Sequence, residues 1–414
     1  MKFFIHIFFS LTTFINLSCQ SFNNKNQVFF GDELLLEENI DLLKDKSVGV
    51  VTNHSAILPN NVHLIDTLLS LGIDITALFS PEHGIRGEIS DGSKISSSTD
   101  DKTGISIFSL YGSTKKPTKE MLNNIDIILF DIQDIGARFY TYISTMYYIL
   151  QSAVENNLPV IVLDRPNPVN GLRVGGPVLD LNYSSFIGIA PIPVLHGMTI
   201  GELAELFVKE NFINTSSKPE LIVIKMKAWK RNYFWADIDR EWIPTSPNIP
   251  NFETSLIYPG TCFIEGTNVS EGRGTEDPFL TIGAPFINSA ELIDKLKSLQ
   301  IAGIEFSPSS FTPVNLKGNS IHPKYEGINC YGVKFKVTDK KKFNAVEFGV
   351  YLIYSLIKLY PDNFKFNDNY FDKLAGTDKL RKDLLEGKNP SAIIKSWENE
   401  LEEFKSIRKK YLLY

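Results

Sequence analysis

The side chains best suited to chemistry stand in four short polar clusters, each of which follows a β-rich run. The clusters are Asn53 with His54, residues 80–87, residues 131–138 and residues 164–168. They are rich in carboxylates, histidine and arginine, which can transfer protons and bind anions. Any one cluster is also compatible with a helix cap or a turn. Four of them together predict one binding or catalytic site.

The elements that position these clusters alternate along the chain. Runs rich in β-branched and apolar residues predict strands at 47–52, 73–79, 105–110, 125–130 and 159–163. Apolar residues at helical spacing predict helices at 62–71 and 139–155, and a short helix opened by proline is predicted at 117–123. This alternation predicts an α/β domain with a doubly wound parallel sheet. Such sheets bind ligands at the carboxyl ends of their strands, where all four clusters stand.

The second half of the chain has a different character. Residues 170–260 are rich in proline and aromatic residues and predict a long connecting region with one clear helix at 199–208. A glycine-punctuated run then carries Glu265, Glu271 and Arg273, and glycine lets the backbone approach a ligand closely. A smaller α+β domain is predicted from helices and strands at 290–299, 304–306, 331–337 and 345–359. We expect the α/β domain at 28–260, the C-terminal domain at 261–414 and a charged surface helix at 389–414.

The N-terminus has the pattern of an export signal. Lys2 precedes an almost unbroken apolar stretch that ends at Leu17. Cys19 follows a stretch that is similar to a bacterial lipoprotein cleavage site. We expect a signal peptide at 1–18, a lipid anchor on Cys19 and a polar tether at 19–27. These features predict a periplasmic or outer-membrane lipoprotein, with plain secretion as the alternative.

Composition and missing motifs exclude several function classes. The chain has 42 Lys and Arg against 48 Asp and Glu, without the basic excess that nucleic-acid binding requires. It contains no dinucleotide fingerprint and no P-loop, so we expect no nucleotide cofactor. His54, His83 and Asp131 could hold a metal ion, but such residues beside arginines more often hydrogen-bond to substrate, and we expect no metal. Spacing leaves open whether Cys262 and Cys330 pair.

Five long motifs of mixed polarity resemble a known family. They span residues 80–87, 131–142, 163–168, 196–199 and 265–274. In this order they resemble the DUF1343 family, the exo-β-N-acetylmuramidases called NamZ. The resemblance implies a Rossmann-like domain, a smaller C-terminal domain and an active site in the cleft between them. It also implies release of N-acetylmuramic acid from the non-reducing end of peptidoglycan fragments. A non-catalytic lipoprotein that binds such fragments is the alternative.

If the chain hydrolyses a glycoside, carboxyl groups of these motifs are expected to fill two catalytic roles. It needs a proton donor at the leaving oxygen and a second group that activates water or attacks the anomeric carbon. We expect Glu82 to be the donor, because a partly desolvated strand-end loop raises a carboxyl pKa; a salt bridge to Arg86 is the alternative. Candidates for the second group are Glu265, Glu271, Asp131 and Asp134. The sugar's own acetamide oxygen can also attack, and a carboxylate would then only orient that amide.

The lactyl ether of muramic acid adds a carboxylate that glucosamine lacks. A guanidinium matches a carboxylate with two parallel hydrogen bonds. The candidate residues are Arg86, Arg138, Arg165 and Arg273. Pairing of these arginines with neighbouring aspartates is the competing interpretation. Other predicted saccharide contacts are Asn53, His54, His83, Asp131, Gln133, Asp134, Asp164, Asn167 and Asn268. Tyr140, Trp229 and Trp235 could form a stacking wall, with core packing as the favoured alternative for Tyr140.

Overall fold

The computed structural model describes residues 25–86, 98–213, 215 and 217–414. The predicted signal peptide, Cys19 and Gly87 of the first long motif lie outside these residues. Among the residues that are described, no helix is long and apolar enough to cross a membrane.

The described residues form one large sheet and two small ones. In chain order the strands are β1 Ser47–Thr52, β2 Asp74–Ser80, β3 Ser98–Thr99, β4 Ser106–Ser109, β5 Ile127–Asp131, β6 Val160–Leu163, β7 Gly175–Val178, β8 Pro193–Leu195, β9 Leu221–Ile224, β10 Thr281–Ala284, β11 Ile304–Phe311 and β12 Cys330–Val337. The large sheet has the order β3-β4-β2-β1-β5-β6-β9, and its pairs are parallel except for β3 with β4. The small sheets, β10-β12-β11 and β7-β8, are antiparallel.

Helices cover both faces of the large sheet. In chain order they are α1 Gly31–Leu34, α2 Leu64–Ser70, α3 Tyr142–Asn156, α4 Ile200–Lys209, α5 Phe252–Thr261, α6 Ser289–Ser298, α7 Ala345–Leu359, α8 Asp368–Ala375, α9 Lys379–Leu385, α10 Pro390–Lys395 and α11 Glu398–Arg408. Short turns of 3₁₀ helix include Cys262–Gly266. Helices α3 and α4 pack on one face of the sheet, and α2 packs on the other.

Alternate side chains of the central strand β5 enter two separate cores. Ile128 and Phe130 pack on the face that α3 and α4 cover, whereas Ile127 and Leu129 pack on the α2 face. All residues of β5 are buried, which explains its continuous apolar sequence. The structure therefore confirms the predicted doubly wound α/β domain with a smaller C-terminal α+β region.

The C-terminal region packs directly on the sheet domain. Helices α5 and α7 lie so close that a Cβ atom on Gly260 would stand 1.9 Å from the Ala345 carbonyl oxygen, so this contact requires glycine. One hydrophobic core contains Phe130 of β5, Phe263 and Phe348. The two regions thus share a core and can hold a site between them. Cys262 and Cys330, whose pairing the sequence left open, are buried free thiols.

Two predicted elements have different bounds in the structure. Residues 119–124 form turns, so the helix predicted at 117–123 is wrong. The amides of Leu122 and Asn123 donate to carbonyl oxygens three residues back, which is the pattern of turns. The short strand predicted at 304–306 extends through Pro308 to Phe311. Proline is tolerated there because β11 lies at the edge of its sheet.

The segment predicted as a charged surface helix at 389–414 is mostly helical, but it is not one helix and its surface position is wrong. The segment forms α10 and α11 and then a tail that returns to the sheet domain. Phe404 and Arg408 are buried, and the Tyr414 hydroxyl donates to Asp164 Oδ2 at 2.6 Å. Leu401, Phe404 and Ile407 recur at helical spacing and pack on the core. The many charges of this segment obscured that apolar face.

Candidate active site

The two regions enclose a cavity of about 110 Å³. Its polar lining comes from both: Glu82, His83, Tyr111, Tyr140, Thr141, Tyr142 and Ser246 from the sheet domain, and Tyr258, Cys262, Glu265, Arg273 and Tyr370 from α5 and the C-terminal region. A larger hollow of about 520 Å³ lies near the amino ends of β1 and β2 and contains none of the predicted site residues. Open α/β sheets bind ligands at the opposite edge. The smaller cavity is therefore the candidate active site.

Glu82 lies just beyond β2 and is partly buried. The backbone turns sharply after it, since His83 and Gly84 have φ angles of 75° and 78°. The left-handed region is unfavourable for a non-glycine residue such as His83. Thr141, which precedes α3, donates its hydroxyl to Glu82 Oε2 at 3.0 Å. Tyr111 also hydrogen-bonds to Glu82, and burial together with this carboxylate raises the pKa of Tyr111. These contacts fix Glu82 in the cavity wall.

Glu265 is the second carboxyl group in the cavity. It lies on the 3₁₀ turn after α5 and is 14% exposed. Arg273 Nη2 donates to its Oε1 at 3.0 Å, and the Tyr370 hydroxyl donates to its Oε2 at 2.9 Å. Burial, with the nearby charge of Glu271, raises the pKa of Glu265 to about 8. Glu265 therefore holds a proton more firmly than an ordinary carboxyl group does.

Glu271 lies beneath the cavity and not in its lining. It is buried, and Lys324 Nζ donates to its Oε2 at 3.0 Å. The same ammonium group donates to the carbonyl oxygens of Ile264, Glu265 and Val269 at 2.9, 3.1 and 3.0 Å. Lys324 thus fastens the segment that carries Glu265. Glu271 supports this arrangement as a buried partner.

Of the four predicted arginines, Arg273 lines the cavity and the other three bind partners inside the protein. Arg273 is 21% exposed, and Phe279 packs 5.1 Å from its guanidinium carbon. Arg165 donates from Nε and Nη2 to Asp131 at 2.6 and 2.9 Å and from Nη2 to Asp32 at 2.8 Å. Arg165 and Asp131, both predicted as substrate contacts, bind each other and are not among the residues that line the cavity.

Arg138 and Arg86 are likewise committed elsewhere. Arg138 is fully buried and donates to the carbonyl oxygens of Pro177, Ile192 and Leu374 at 2.8, 3.0 and 2.8 Å. Arg86 binds Asp100 through Nε and Nη2 at 3.2 and 2.9 Å and lies 3.6 Å from Asp66, so its main partner is Asp100 and not the Glu82 of the alternative prediction. These two arginines therefore join segments of the fold and do not line the cavity.

The predicted aspartates Asp134 and Asp164 are buried away from the cavity. Asp134 Oδ2 accepts from the Gly136 amide at 2.7 Å, and burial raises the Asp134 pKa to about 7. Asp164 accepts from Thr199 Oγ1 at 2.8 Å and from the Tyr414 hydroxyl. Both carboxyl groups organise loops at the strand ends. Their placement does not support Asp134 as the second catalytic group or Asp164 as a saccharide contact.

The predicted sugar-hydroxyl partners also hydrogen-bond within the protein. They are Asn53, His54, Gln133, Asn167 and Asn268. Asn53 donates to the hydroxyl of Tyr142 at 3.0 Å, and Tyr142 itself lines the cavity. His54 Nε2 donates to the Pro244 carbonyl oxygen at 2.6 Å. Asn53 thus acts on the site indirectly, while His83 is the predicted partner that reaches the lining.

The remaining amides join loops in the same way. Gln133 Nε2 donates to the Pro166 carbonyl oxygen at 2.8 Å, and Asn167 Nδ2 donates to that of Met198 at 3.0 Å. Asn268 Nδ2 donates to the Asn363 carbonyl oxygen at 2.8 Å. These amides fasten neighbouring loops to one another and are absent from the cavity lining.

The predicted stacking wall is divided between two places. Tyr140 lines the cavity and donates to Thr245 Oγ1 at 2.8 Å. Trp229 and Trp235 instead pack with Phe30 in a separate small core. The two tryptophans therefore stabilise the connecting region and do not face the cavity. Among the described residues, no three His, Cys, Asp or Glu side chains are grouped so that they could hold a metal ion.

The sequence analysis missed several side chains that line or support the cavity, among them Tyr111, Tyr370 and Lys324. Tyr111 directly follows the predicted strand at 105–110, so its strand-end position was a usable signal. Tyr370 and Lys324 bind carboxylates 105 and 53 residues away along the chain. Nothing in their local sequence indicates such distant partners.

Comparison with known proteins agrees with these features. The family models for the N-terminal and C-terminal parts of exo-beta-N-acetylmuramidase NamZ match residues 48–253 and 256–414. A Bacillus subtilis (strain 168) protein described as peptidoglycan beta-N-acetylmuramidase NamZ is 47% identical over 392 residues, which cover 94% of this chain and 92% of that protein. Crystal structures of two DUF1343 family proteins from Bacteroides fragilis NCTC 9343 superpose with TM-scores of 0.85 and 0.76. Each is 34% identical and covers 94% of this chain and 99% of its own. The resemblance seen in the motifs is thereby confirmed, and the chain belongs to the NamZ family of exo-β-N-acetylmuramidases.

Proposed function

We propose that this protein is an exo-β-N-acetylmuramidase, a glycoside hydrolase that releases N-acetylmuramic acid from the non-reducing end of peptidoglycan fragments. Family membership and the 47% identical muramidase support this function. The observation that carries it is a single cavity in which two carboxyl groups, Glu82 and Glu265, stand beside the guanidinium of Arg273. These are the groups that cleavage of an anionic sugar requires.

Glu82 is the proton donor in this proposal. Thr141 and Tyr111 hold its carboxyl group at the carboxyl end of the large sheet, where the leaving saccharide can be protonated. Glu265 is the second group, because Glu271, Asp131 and Asp134 do not reach the cavity. The two carboxyl groups come from different regions of the chain, so the cleft between these regions is the place of reaction.

In this proposal Arg273 binds the lactyl carboxylate that distinguishes muramic acid from glucosamine. Burial lowers the pKa of Arg273, because a charged guanidinium loses solvation in the cavity wall. A substrate carboxylate restores part of that lost stabilisation and accepts charge-assisted hydrogen bonds. Arg86, Arg138 and Arg165 do not line the cavity, so this role falls to Arg273.

The cellular setting is part of the same proposal. The export signal pattern before residue 19 and the cleavage-site pattern at Cys19 support a lipid-anchored periplasmic or outer-membrane protein. A domain boundary near residue 260 is supported by the two family models, which meet between residues 253 and 256. Labelling with a radioactive fatty acid tests the anchor. Incorporation that is lost in Cys19→Ser supports it, and equal incorporation in both proteins contradicts it.

A chromogenic β-N-acetylmuraminide tests the activity. We expect release of the chromophore, with the corresponding β-N-acetylglucosaminide cleaved much more slowly. With a natural saccharide fragment, whose sugar leaving group needs a proton, Glu82→Gln should lower turnover roughly a hundred- to ten-thousandfold, the usual contribution of a general acid, while fragment affinity is largely retained. Binding of fragments without release at any pH would instead identify a non-catalytic binding protein. An unchanged rate in Glu82→Gln would exclude Glu82 as the donor.

A further inference from the structure

The position of Glu265 beside Arg273 restricts how a muramic acid ring can sit in the cavity. Arg273 Nη2 is 3.0 Å from Glu265 Oε1, and Tyr370 donates to the other oxygen of the same carboxyl group. On the sugar, the lactyl ether is attached to C3 and the acetamido group to the adjacent carbon, C2. A lactyl carboxylate bound by Arg273 therefore places the acetamido group next to Glu265. The bond to be cleaved, at C1, is one carbon farther along the ring.

We infer that Glu265 binds the substrate's acetamide N–H as a base, so that the acetamide oxygen of the sugar, and not an enzyme carboxylate, attacks the anomeric carbon. This inference rests on the proposed function and goes beyond it, because it assigns the second catalytic role and the stereochemical course. Each carboxylate oxygen can accept more than one hydrogen bond. Glu265 can thus keep its contacts with Arg273 and Tyr370 and still receive the amide N–H.

The environment of Glu265 suits a base better than a covalent nucleophile. A carboxylate that bonds to C1 must depart again in the second step, and a carboxyl group of high proton affinity is a poor leaving group. Burial and Glu271 give Glu265 such a high affinity for a proton. The same property makes it effective in taking a proton from an amide nitrogen whose acidity rises as the carbonyl oxygen attacks.

Hydrolysis takes place in two steps. In the first, Glu82 gives its proton to the leaving oxygen, and the C1–O bond breaks with its electron pair on that oxygen. The acetamide oxygen bonds to C1 from the opposite face, the amide proton passes to Glu265, and a neutral oxazoline results. In the second, Glu82 takes a proton from water, which attacks C1, while Glu265 returns its proton to nitrogen and the C1–O bond of the oxazoline breaks. Two inversions at C1 give a product of retained β configuration.

Two measurements on the wild-type enzyme test this course without any variant. Early NMR spectra of the product should show β-N-acetylmuramic acid before mutarotation. Chromogenic muraminides with acetyl, fluoroacetyl, difluoroacetyl and trifluoroacetyl groups should react roughly tenfold more slowly with each added fluorine, as expected when the basicity of the attacking oxygen controls the rate. An α product, or equal rates across the series, would overturn the inference.

A matched pair of variants tests whether Glu265 is the residue that accepts the amide proton. Glu265→Gln cannot accept the amide proton, so its turnover should fall by roughly a thousandfold and its residual rate should depend less on fluorination. Glu271→Gln removes a carboxylate from the same segment outside the cavity lining, and its residual rate should keep the steep dependence. A covalent adduct on Glu265 trapped with a 2-deoxy-2-fluoro muraminide would overturn the inference while leaving the muramidase function intact. Absence of release from every muraminide would refute the proposed function itself.

Discussion

Two arginines of this protein each lie beside two carboxyl groups. The two clusters differ in their exposure and in their access to the cavity. Arg165 is 3% exposed and binds Asp131 and Asp32 with distances of 2.6 to 2.9 Å. Arg273 is 21% exposed, lines the cavity and lies 3.0 Å from Glu265 and 3.5 Å from Glu271. The first cluster is closed to ligands, whereas the second opens on a cavity.

The charges of the two clusters are balanced differently. Burial disfavours the charged form of Arg165, but Asp131 and Asp32 outweigh burial and raise its pKa. At Arg273 burial prevails and the pKa is lowered, while the pKa of neighbouring Glu265 is raised to about 8. In the closed cluster the carboxylates outweigh burial, whereas in the open cluster burial prevails at an arginine that borders a cavity. Accessibility and charge balance, and not residue type, distinguish the two arginines here.

The largest effect on stability is expected when the closed cluster of Arg165, Asp131 and Asp32 is broken. Arg165→Met leaves Asp131 and Asp32 buried without their cation, which should lower the free energy of unfolding by about 3–5 kcal/mol. Urea denaturation at neutral pH measures this loss. Adding Asp131→Asn and Asp32→Asn to the same protein should recover a large part of the stability. Wild-type stability with lost activity in Arg165→Met would contradict a structural role.

The next largest effect, on kcat/KM, is expected when Arg273, the cation of the open cluster, is replaced. Arg273→Met should leave the free energy of unfolding within about 1 kcal/mol of wild type, because this arginine borders a cavity. It should lower kcat/KM for a β-N-acetylmuraminide by an amount equivalent to about 2–4 kcal/mol and leave the β-N-acetylglucosaminide rate much less affected. Arg86→Met is the matched control, since Arg86 pairs with Asp100 outside the cavity lining. A muraminide preference retained in Arg273→Met, or lost in the control, would contradict this assignment.

The contrast also shows how far the sequence could predict the structure. Apolar strands such as β5 and the polar residues that follow them predicted the candidate site at the sheet edge where the cavity lies. The same reasoning could not tell that Arg273 lines the cavity whereas Arg165 is bound by buried carboxylates. The residues that pair with an arginine come from distant segments of the chain. Asp32 is 133 residues from Arg165, and Leu374 is 236 residues from Arg138. Strand-end position is encoded locally, whereas the completion of a charge cluster depends on the tertiary fold.

The smallest expected effect is a shift in the pH dependence of kcat/KM when a charge near Glu265 is removed and the open cluster stays in place. Glu265 must lose its proton to accept one from the amide, and its pKa is about 8, so kcat/KM for the muraminide should rise as the pH increases through that value. The positive charge of Lys324 favours the anion of Glu265 and holds this pKa down. Lys324→Met should therefore move the rising limb to higher pH by roughly one unit, which is about 1.4 kcal/mol.

A second lysine provides the control for this shift. Lys334 lies in the same region but pairs with the exposed Asp277 at 2.5 Å, outside the cavity lining. Lys334→Met should therefore leave the limb in place, and an equal shift in both variants would show that the effect is not local. A rate that falls through the same pH in the wild-type enzyme would show that the protonated form of Glu265 is the active one. Glu265 would then be the acid and Glu82 its partner, because a donor is lost, and a base gained, as the proton leaves.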